Sequence, residues 1–270
     1  MRRIIAVIAV GAGVLAAGVP AAADTFLDDL RSSKGWTVTL GVTGMAMPAW
    51  EGSDKTIFGA APVFNVRPVG TPARYFNARE GIGITLFEIG RLQIGPVGQL
   101  KWHRRVKDDP AALQGLGDVD YAVEIGGFAE YWAFDWLRYR AEVRQGFGGH
   151  HGIVADQMID VVVPYGPWTL SAGPRLRIVS AAANSPYYDV TFAQSLASGL
   201  PVYDAGGGVR SVGGGAQAIY RFNPQFAVHG FVEYDHLVGD VADSPVVKLR
   251  GDADQFTFGA GFAYSFDWVR

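Results

Sequence analysis

The chain contains no cysteine, and beyond its first residues no apolar run approaches the ~18 residues that a membrane-spanning helix requires. The first absence excludes small disulfide-stapled scaffolds and thiolate metal sites. The second leaves a closed β-barrel as the way for such a chain to satisfy its backbone hydrogen bonds in lipid. An excess of one charge is lacking too: 23 Lys and Arg against 26 Asp and Glu give a net charge of −3. That balance gives no reason to expect a nucleic-acid partner. What the chain has in quantity is glycine (36) and aromatics (7 Trp, 11 Tyr, 16 Phe). Both fit a barrel with aromatic girdles, and both also fit a secreted all-β protein.

At the N-terminus, Met1-Arg2-Arg3 precedes an apolar run from Ile4 to Val19 and then Pro20-Ala-Ala-Ala23-Asp24. A basic start, a short apolar run and a small-residue site predict a cleaved secretory signal peptide over residues 1–23. A membrane anchor is the competing reading, but 16 apolar residues are short for a span of ~20. Loss of Arg2 and Arg3 takes the net charge from −3 to −5. Residues 24–270 are then expected to form a single outer-membrane β-barrel domain.

The stretch from Phe256 to Phe266 carries the barrel signal most clearly. Phe256, Phe258, Ala260, Phe262, Tyr264 and Phe266 fall on one face at period two, and Thr257, Gly259, Gly261, Ala263 and Ser265 on the other. Aromatics along one whole face opposite a small, polar one suit lipid outside and a lumen inside. Earlier segments alternate likewise. Trp36–Met47, Ile57–Arg67, Arg74–Glu88, Arg91–His103, Tyr121–Ala133, Trp136–Gln145, Ile153–Pro164, Trp168–Ser180, Val209–Arg221 and Phe226–Leu237 all read as strands.

With the closing strand these make eleven, whereas a single-chain bacterial barrel has an even number. Tight turns at Ile89-Gly90, Phe134-Asp135, Tyr165-Gly166-Pro167 and Asn223-Pro224 share one side, which is the periplasmic one by the short-turn rule. The longer stretches 104–119, 146–152, 181–208 and 238–254 then read as outward loops. The miscount therefore lies before residue 90. We expect an all-β, antiparallel transmembrane barrel of twelve strands, Arg74–Glu88 counting as two; ten is the alternative if one early segment is not a strand.

Alternation places Arg138, Arg140, Arg144, Arg175, Arg177, Glu124, Glu130, Asp156 and Asp160 inward, with Glu142 on the same stripe. Such a set is either a selectivity ladder or anionic-ligand site, or a mutually neutralising network that fills a small lumen. His150-His151 lies in a Gly-rich stretch without metal-ligand spacing and reads as a solvated loop rather than a metal site. Asp240, Asp243, Asp252 and Asp254 lack the spacing of a calcium loop and read as turn formers. Gly206–Gly208 and Gly213–Gly215 read as close-packing positions, since no Lys-Ser/Thr or helix follows to make a phosphate loop. Ser171, Ser180, Ser185, Ser195 and Ser198 have no His at a recognisable spacing, so no hydrolase is expected. No cofactor or metal is expected either.

Several stretches resemble the MipA/OmpV family of MltA-interacting outer-membrane proteins. Gly41-Val-Thr-Gly-Met-Ala-Met-Pro48 with Trp50-Glu-Gly-Ser-Asp54 is similar to that family's first strand and turn. Tyr187 to Tyr203 resembles its long loop. Tyr234-Asp-His-Leu-Val-Gly-Asp-Val-Ala-Asp-Ser-Pro-Val-Val247 resembles its strand-to-loop signature, with Asp240, Asp243, Ser244 and Pro245 the most specific piece. The ending Tyr264-Ser-Phe266 resembles its aromatic last strand, although this chain continues Asp267-Trp-Val-Arg270. The resemblance implies the outer membrane of a Gram-negative bacterium and contact with lipid and lipopolysaccharide. It further implies a non-enzymatic scaffold that links a murein transglycosylase to a murein synthase. The residues themselves leave a small-solute channel with an Arg-lined lumen, or an adhesin using its outer loops, as alternatives.

Overall fold

A computed structural model of the chain describes residues 24–25, 35–70 and 75–269. The expected signal peptide, residues 1–23, lies outside them, as does most of the polar stretch that follows.

Period-two sequences form strands here because one set of side chains can face lipid while the other faces the interior. Thirteen segments result: β1 (Asp24–Thr25), β2 (Gly35–Pro48), β3 (Thr56–Pro68), β4 (Ile82–Gly83), β5 (Phe87–Ile89), β6 (Leu92–Lys101), β7 (Ala122–Phe134), β8 (Leu137–Gly148), β9 (Ile153–Tyr165), β10 (Trp168–Val179), β11 (Gly208–Arg221), β12 (Phe226–Leu237) and β13 (Asp254–Val269). All belong to one antiparallel sheet in the order β1-β5-β6-β7-β8-β9-β10-β11-β12-β13-β2-β3, with β4 also on β6. The pairing of β13 with β2 joins the end of the chain to its beginning and curls the sheet into a nearly closed barrel. β13 runs three residues past Phe266, setting Asp267, Trp268 and Val269 opposite Thr37, Trp36 and Gly35.

β4 and β5 lie along the same strand, β6, at Gly98–Val97 and Ile94–Leu92, and are two ends of one interrupted strand. Counted so, the barrel has twelve staves. The twelfth, however, does not come from dividing 74–88. It is β1, whose Asp24 and Thr25 lie opposite Glu88 and Phe87. Residues 75–81 turn away from the wall into the lumen, because Glu80 and Arg79 find partners there rather than in lipid.

The exterior is apolar along the barrel: Leu40, Phe58, Val123, Ile125, Tyr139, Val143, Ile159, Leu170, Phe256, Phe258 and Phe262 are all exposed. Together these would be a liability in water, and they constitute the lipid-facing surface of a membrane barrel. Inward positions on the same strands, such as Thr43, Glu130, Arg138, Asp160, His229 and Glu233, are buried.

Three of the stretches read as loops contain helices. These are a 3₁₀ turn at Val106–Asp108 with α1 (Pro110–Leu113), then α2 (Ala181–Tyr188) and α3 (Phe192–Ser198), then α4 (Gly239–Asp243) and α5 (Pro245–Arg250). They pack on one another over the mouth opposite the tight turns, the end expected to face outward, around a core that includes Trp50, Leu113, Leu116, Tyr188, Leu237, Val246 and Val247. Apolar residues brought together from four distant stretches drive this roof, so short-range pattern gave no sign of it.

Candidate functional site

On the stretch of wall from β7 to β10 the inward side chains are charged, and they pair with one another across the strands. Arg138, on β8, is fully buried. It donates to Glu130 of β7 at 2.6 Å, to Asp160 of β9 at 3.0 Å and to Glu80 of the inward segment at 2.5 Å. Arg140 donates to Glu130 at 3.1 Å and to Glu142 at 2.8 Å, and its guanidinium lies 3.9 Å from the centroid of the Phe128 ring. Arg144 reaches Glu124 at 2.9 Å and also donates to Glu142 and Asp156. On β10, Arg175 donates to Asp160 at 2.7 Å and Arg177 to Asp156 at 2.6 Å. Cross-strand register makes this possible: Arg140 lies opposite Glu130, Arg138 opposite Asp160, and Arg177 opposite Asp156. All nine inward charges expected from alternation therefore meet in one network. Burying them is tolerable only because each charge has partners of the opposite sign with hydrogen-bond geometry.

The segment from Tyr75 to Gly81 enters this network as a plug. Tyr75 donates to Ser171 at 2.8 Å, and Gln217 on β11 holds the backbone of Phe76 and Ala78 at 2.7 and 2.9 Å. Arg79 pairs with Asp235 of β12 at 3.3 Å, and the Gly81 N–H donates to Glu142. Glu80 supplies the carboxylate that completes Arg138.

Towards the outer mouth, Glu51 gathers three cations: Lys101 of β6, Arg177 at 2.9 Å and Arg210 of β11 at 3.0 Å. Tyr188 donates to the Glu51 backbone carbonyl at 3.0 Å. Burial by itself would raise this carboxyl, but Lys101, Arg210 and Arg177 more than reverse it and hold it well below the usual carboxylate range. Burial, reinforced by the Glu51 charge, pushes the neighbouring Tyr187 hydroxyl up to about 12, so it stays a neutral donor.

The two motif stretches meet in the roof. Asp109 caps α1 and accepts from Trp50 Nε1 at 2.9 Å and Ser53 Oγ at 2.7 Å. Ser244 caps α5 and donates to the Tyr188 carbonyl at 2.7 Å, with Pro245 buried at the first helical turn. Asp240 and Asp243 stay exposed at the surface, Asp243 pairing with Lys248 at 3.0 Å. Among the described residues no group of His, Cys, Asp or Glu is arranged to hold a metal.

His150 departs from the solvated-loop reading. It is buried and bonds Glu124 at 3.0 Å, while His151 is exposed. Glycine permits this: a Cβ on Gly146 would overlap the His150 ring, so the chain can fold its imidazole back against the strand. Of the serines weighed as nucleophiles, Ser171 accepts from Tyr75, Ser180 from the Ile153 N–H and Ser198 from the Leu200 N–H, and Ser185 donates to Asp189. Sequence reasoning missed Glu51, Arg79, Glu80, Lys101, Arg210, Glu233 and Asp235 as members of the network. Glu233 and Asp235 alternate inward on β12 and were accessible to the same argument. Glu51, Arg79 and Glu80 come from non-periodic stretches and were not.

Comparison with known proteins adds a family. The model of MltA-interacting protein MipA matches residues 40–266. No curated protein matches the chain. Among solved structures, the NanC porin is 8% identical, with 86% of this chain and 100% of that one covered at a TM-score of 0.39. An outer-membrane channel from Pseudomonas putida F1 is 10% identical, with 86% and 96% covered at a TM-score of 0.42. The outer-membrane protein OprG from Pseudomonas aeruginosa is 10% identical, with 86% and 96% covered at 0.33. At such scores the outer-membrane assignment rests on the family match and on the apolar exterior of the barrel itself.

Proposed function

Because this chain belongs to the MltA-interacting protein MipA family, we propose that it is a non-conducting outer-membrane barrel that serves as an envelope interaction protein. Its partner in this reading is a murein-cleaving transglycosylase of the MltA kind, with a murein synthase as a second partner brought alongside. The observation that supports it is the state of the lumen. Arg138, Arg140, Arg144, Arg175 and Arg177 are all committed to carboxylates, the 75–81 segment stands among them, and helices roof the outer mouth. A small-solute channel would need guanidiniums free to exchange one anion for the next.

The motif residues Trp50, Ser53, Ser244 and Pro245 act in this reading as roof-builders, because their side chains are spent on Asp109, Tyr188 and each other's helices. Asp240 and Asp243 remain as surface carboxylates. Contact with a periplasmic enzyme then falls to the opposite rim, where Phe134, Trp136, Tyr165 and Phe222 are exposed beside the tight turns. The test is equilibrium binding between the mature barrel in lipid nanodiscs, which leave both rims open, and a soluble MltA-type transglycosylase. Saturable binding that weakens when Tyr165 is replaced by Ser is expected. Absence of saturable binding would overturn the proposal.

A further inference from the structure

Between the charge network and the helical roof lies a cavity of about 140 Å³. By the ~10–15 Å³ that one water-sized sphere occupies on this measure, it has room for roughly ten such spheres. Six basic side chains, among them Lys101, Arg104 and Arg210, line it against only three carboxylates, Glu51, Glu124 and Asp235. Asp156 further offsets Arg144 and Arg177 from below. The remaining surplus centres on the other side of the cavity. There Lys101 and Arg210 share Glu51 with Arg177, and among the described residues Arg104 forms no ion pair within salt-bridge distance and donates to the backbone carbonyls of Tyr187 and Gly117.

Two further observations fall at the same place. The Arg104 Nε and the Tyr187 hydroxyl are buried and have no hydrogen-bond partner among the described residues. Both residues line the cavity, with 2% and 5% of their surface exposed. Buried donors are normally satisfied, and leaving one unpaired costs about 1–3 kcal/mol. Lys101 also lies 5.4 Å from the centroid of the Tyr187 ring, so its ammonium packs against the same side chain.

From this juxtaposition we propose that the chamber under the roof binds a small free oxyanion, a carboxylate or phosphate of about ten non-hydrogen atoms or fewer. Lys101, Arg104 and Arg210 supply the charge, and Tyr187 donates a hydrogen bond. Arg210 already donates to Asn184, Glu51 and the Ala183 carbonyl, and Arg104 to two carbonyls, so each offers an oxyanion its remaining N–H groups, which an oxygen acceptor suits better than chloride. The Arg104 and Tyr187 residues that would hold the ligand are 2% and 5% exposed, so the ligand is a small dissolved solute and not a lipid headgroup.

The experiment is a thermal melt of the full mature barrel in detergent, titrated with inorganic phosphate or with D-glycerate against chloride at equal ionic strength. Trp50 and Trp102 line the chamber and give a second readout by fluorescence. A saturable rise in melting temperature with at least one oxyanion, absent with chloride, is expected, because a ligand that binds the folded state stabilises it. Tyr187→Phe deletes a hydroxyl that bonds nothing in the fold. It should weaken the affinity roughly tenfold, on the scale of one hydrogen bond, while raising the ligand-free melting temperature, because an unpaired buried hydroxyl is removed; Lys101→Gln should weaken the affinity as well. No rise beyond that in chloride would overturn the proposal, and so would a rise that both variants retain unchanged.

Discussion

Arg138 shows what holds the barrel's interior at the scale of one side chain. It has no access to solvent and satisfies Glu80, Glu130 and Asp160 together. Replacing it by Ala leaves three buried carboxylates short of their cation. We expect a loss of about 3–5 kcal/mol, the usual cost of removing one partner of a buried pair, measured by urea unfolding of the barrel in detergent.

Glu51 makes a pH argument at the same scale. Its carboxyl is depressed in the folded state, so its contribution is complete above the unfolded value of ~4.3 and fades as pH falls through the lower folded value. Melting temperature should therefore drop below pH ~4.3 in the parent, and Glu51→Gln should flatten part of that limb at the expense of stability near neutrality. Both residues also mark the boundary of what sequence can tell. Arg138 was found because Leu137, Tyr139, Ala141 and Val143 alternate against it. Glu51 sits in a turn with no period, and its role exists only once β6, β10 and β11 have brought Lys101, Arg177 and Arg210 around it.

Among elements, strands were legible and helices were not. Each strand carries its own two-faced pattern, and β7 to β13 appear within two or three residues of where alternation puts them. The roof helices are four to eight residues long and have no apolar stripe of their own. They exist because Trp50, Tyr188, Val246 and Val247 bury one another, which is a long-range fact. The third stave failed for a related reason. Its Arg79 and Glu80 are more stable against Asp235 and Arg138 than at the lipid face, so the chain leaves the wall and returns at Ile82. At this scale Ser244→Ala should loosen the roof, removing the cap of α5 and the bond to Tyr188, at a cost of about 0.5–2 kcal/mol. Protease sensitivity of the 238–254 segment should rise while the heat-modifiable barrel band on a gel persists. Gly146→Val should expel His150 from Glu124 and be read as a shift of the His150 imidazole resonance towards that of an exposed ring.

For the whole molecule, the family match and the lipid-facing exterior make this an outer-membrane barrel, and the paired charges of its interior are what the proposed interaction role rests on. Charges of opposite sign on adjacent staves, an inward segment and a packed roof act in series on one path, so the loss of one need not open it. The measurement that bears on this most directly is the conductance of the mature barrel in a planar bilayer, beside a variant carrying Arg138→Ala and Arg140→Ala. We expect the parent to insert and remain silent, with flickering and no stable ion-selective level in the variant. Steady, ion-selective conductance through the parent, with selectivity altered in the variant, would contradict the account and make the Arg-lined lumen a transport path.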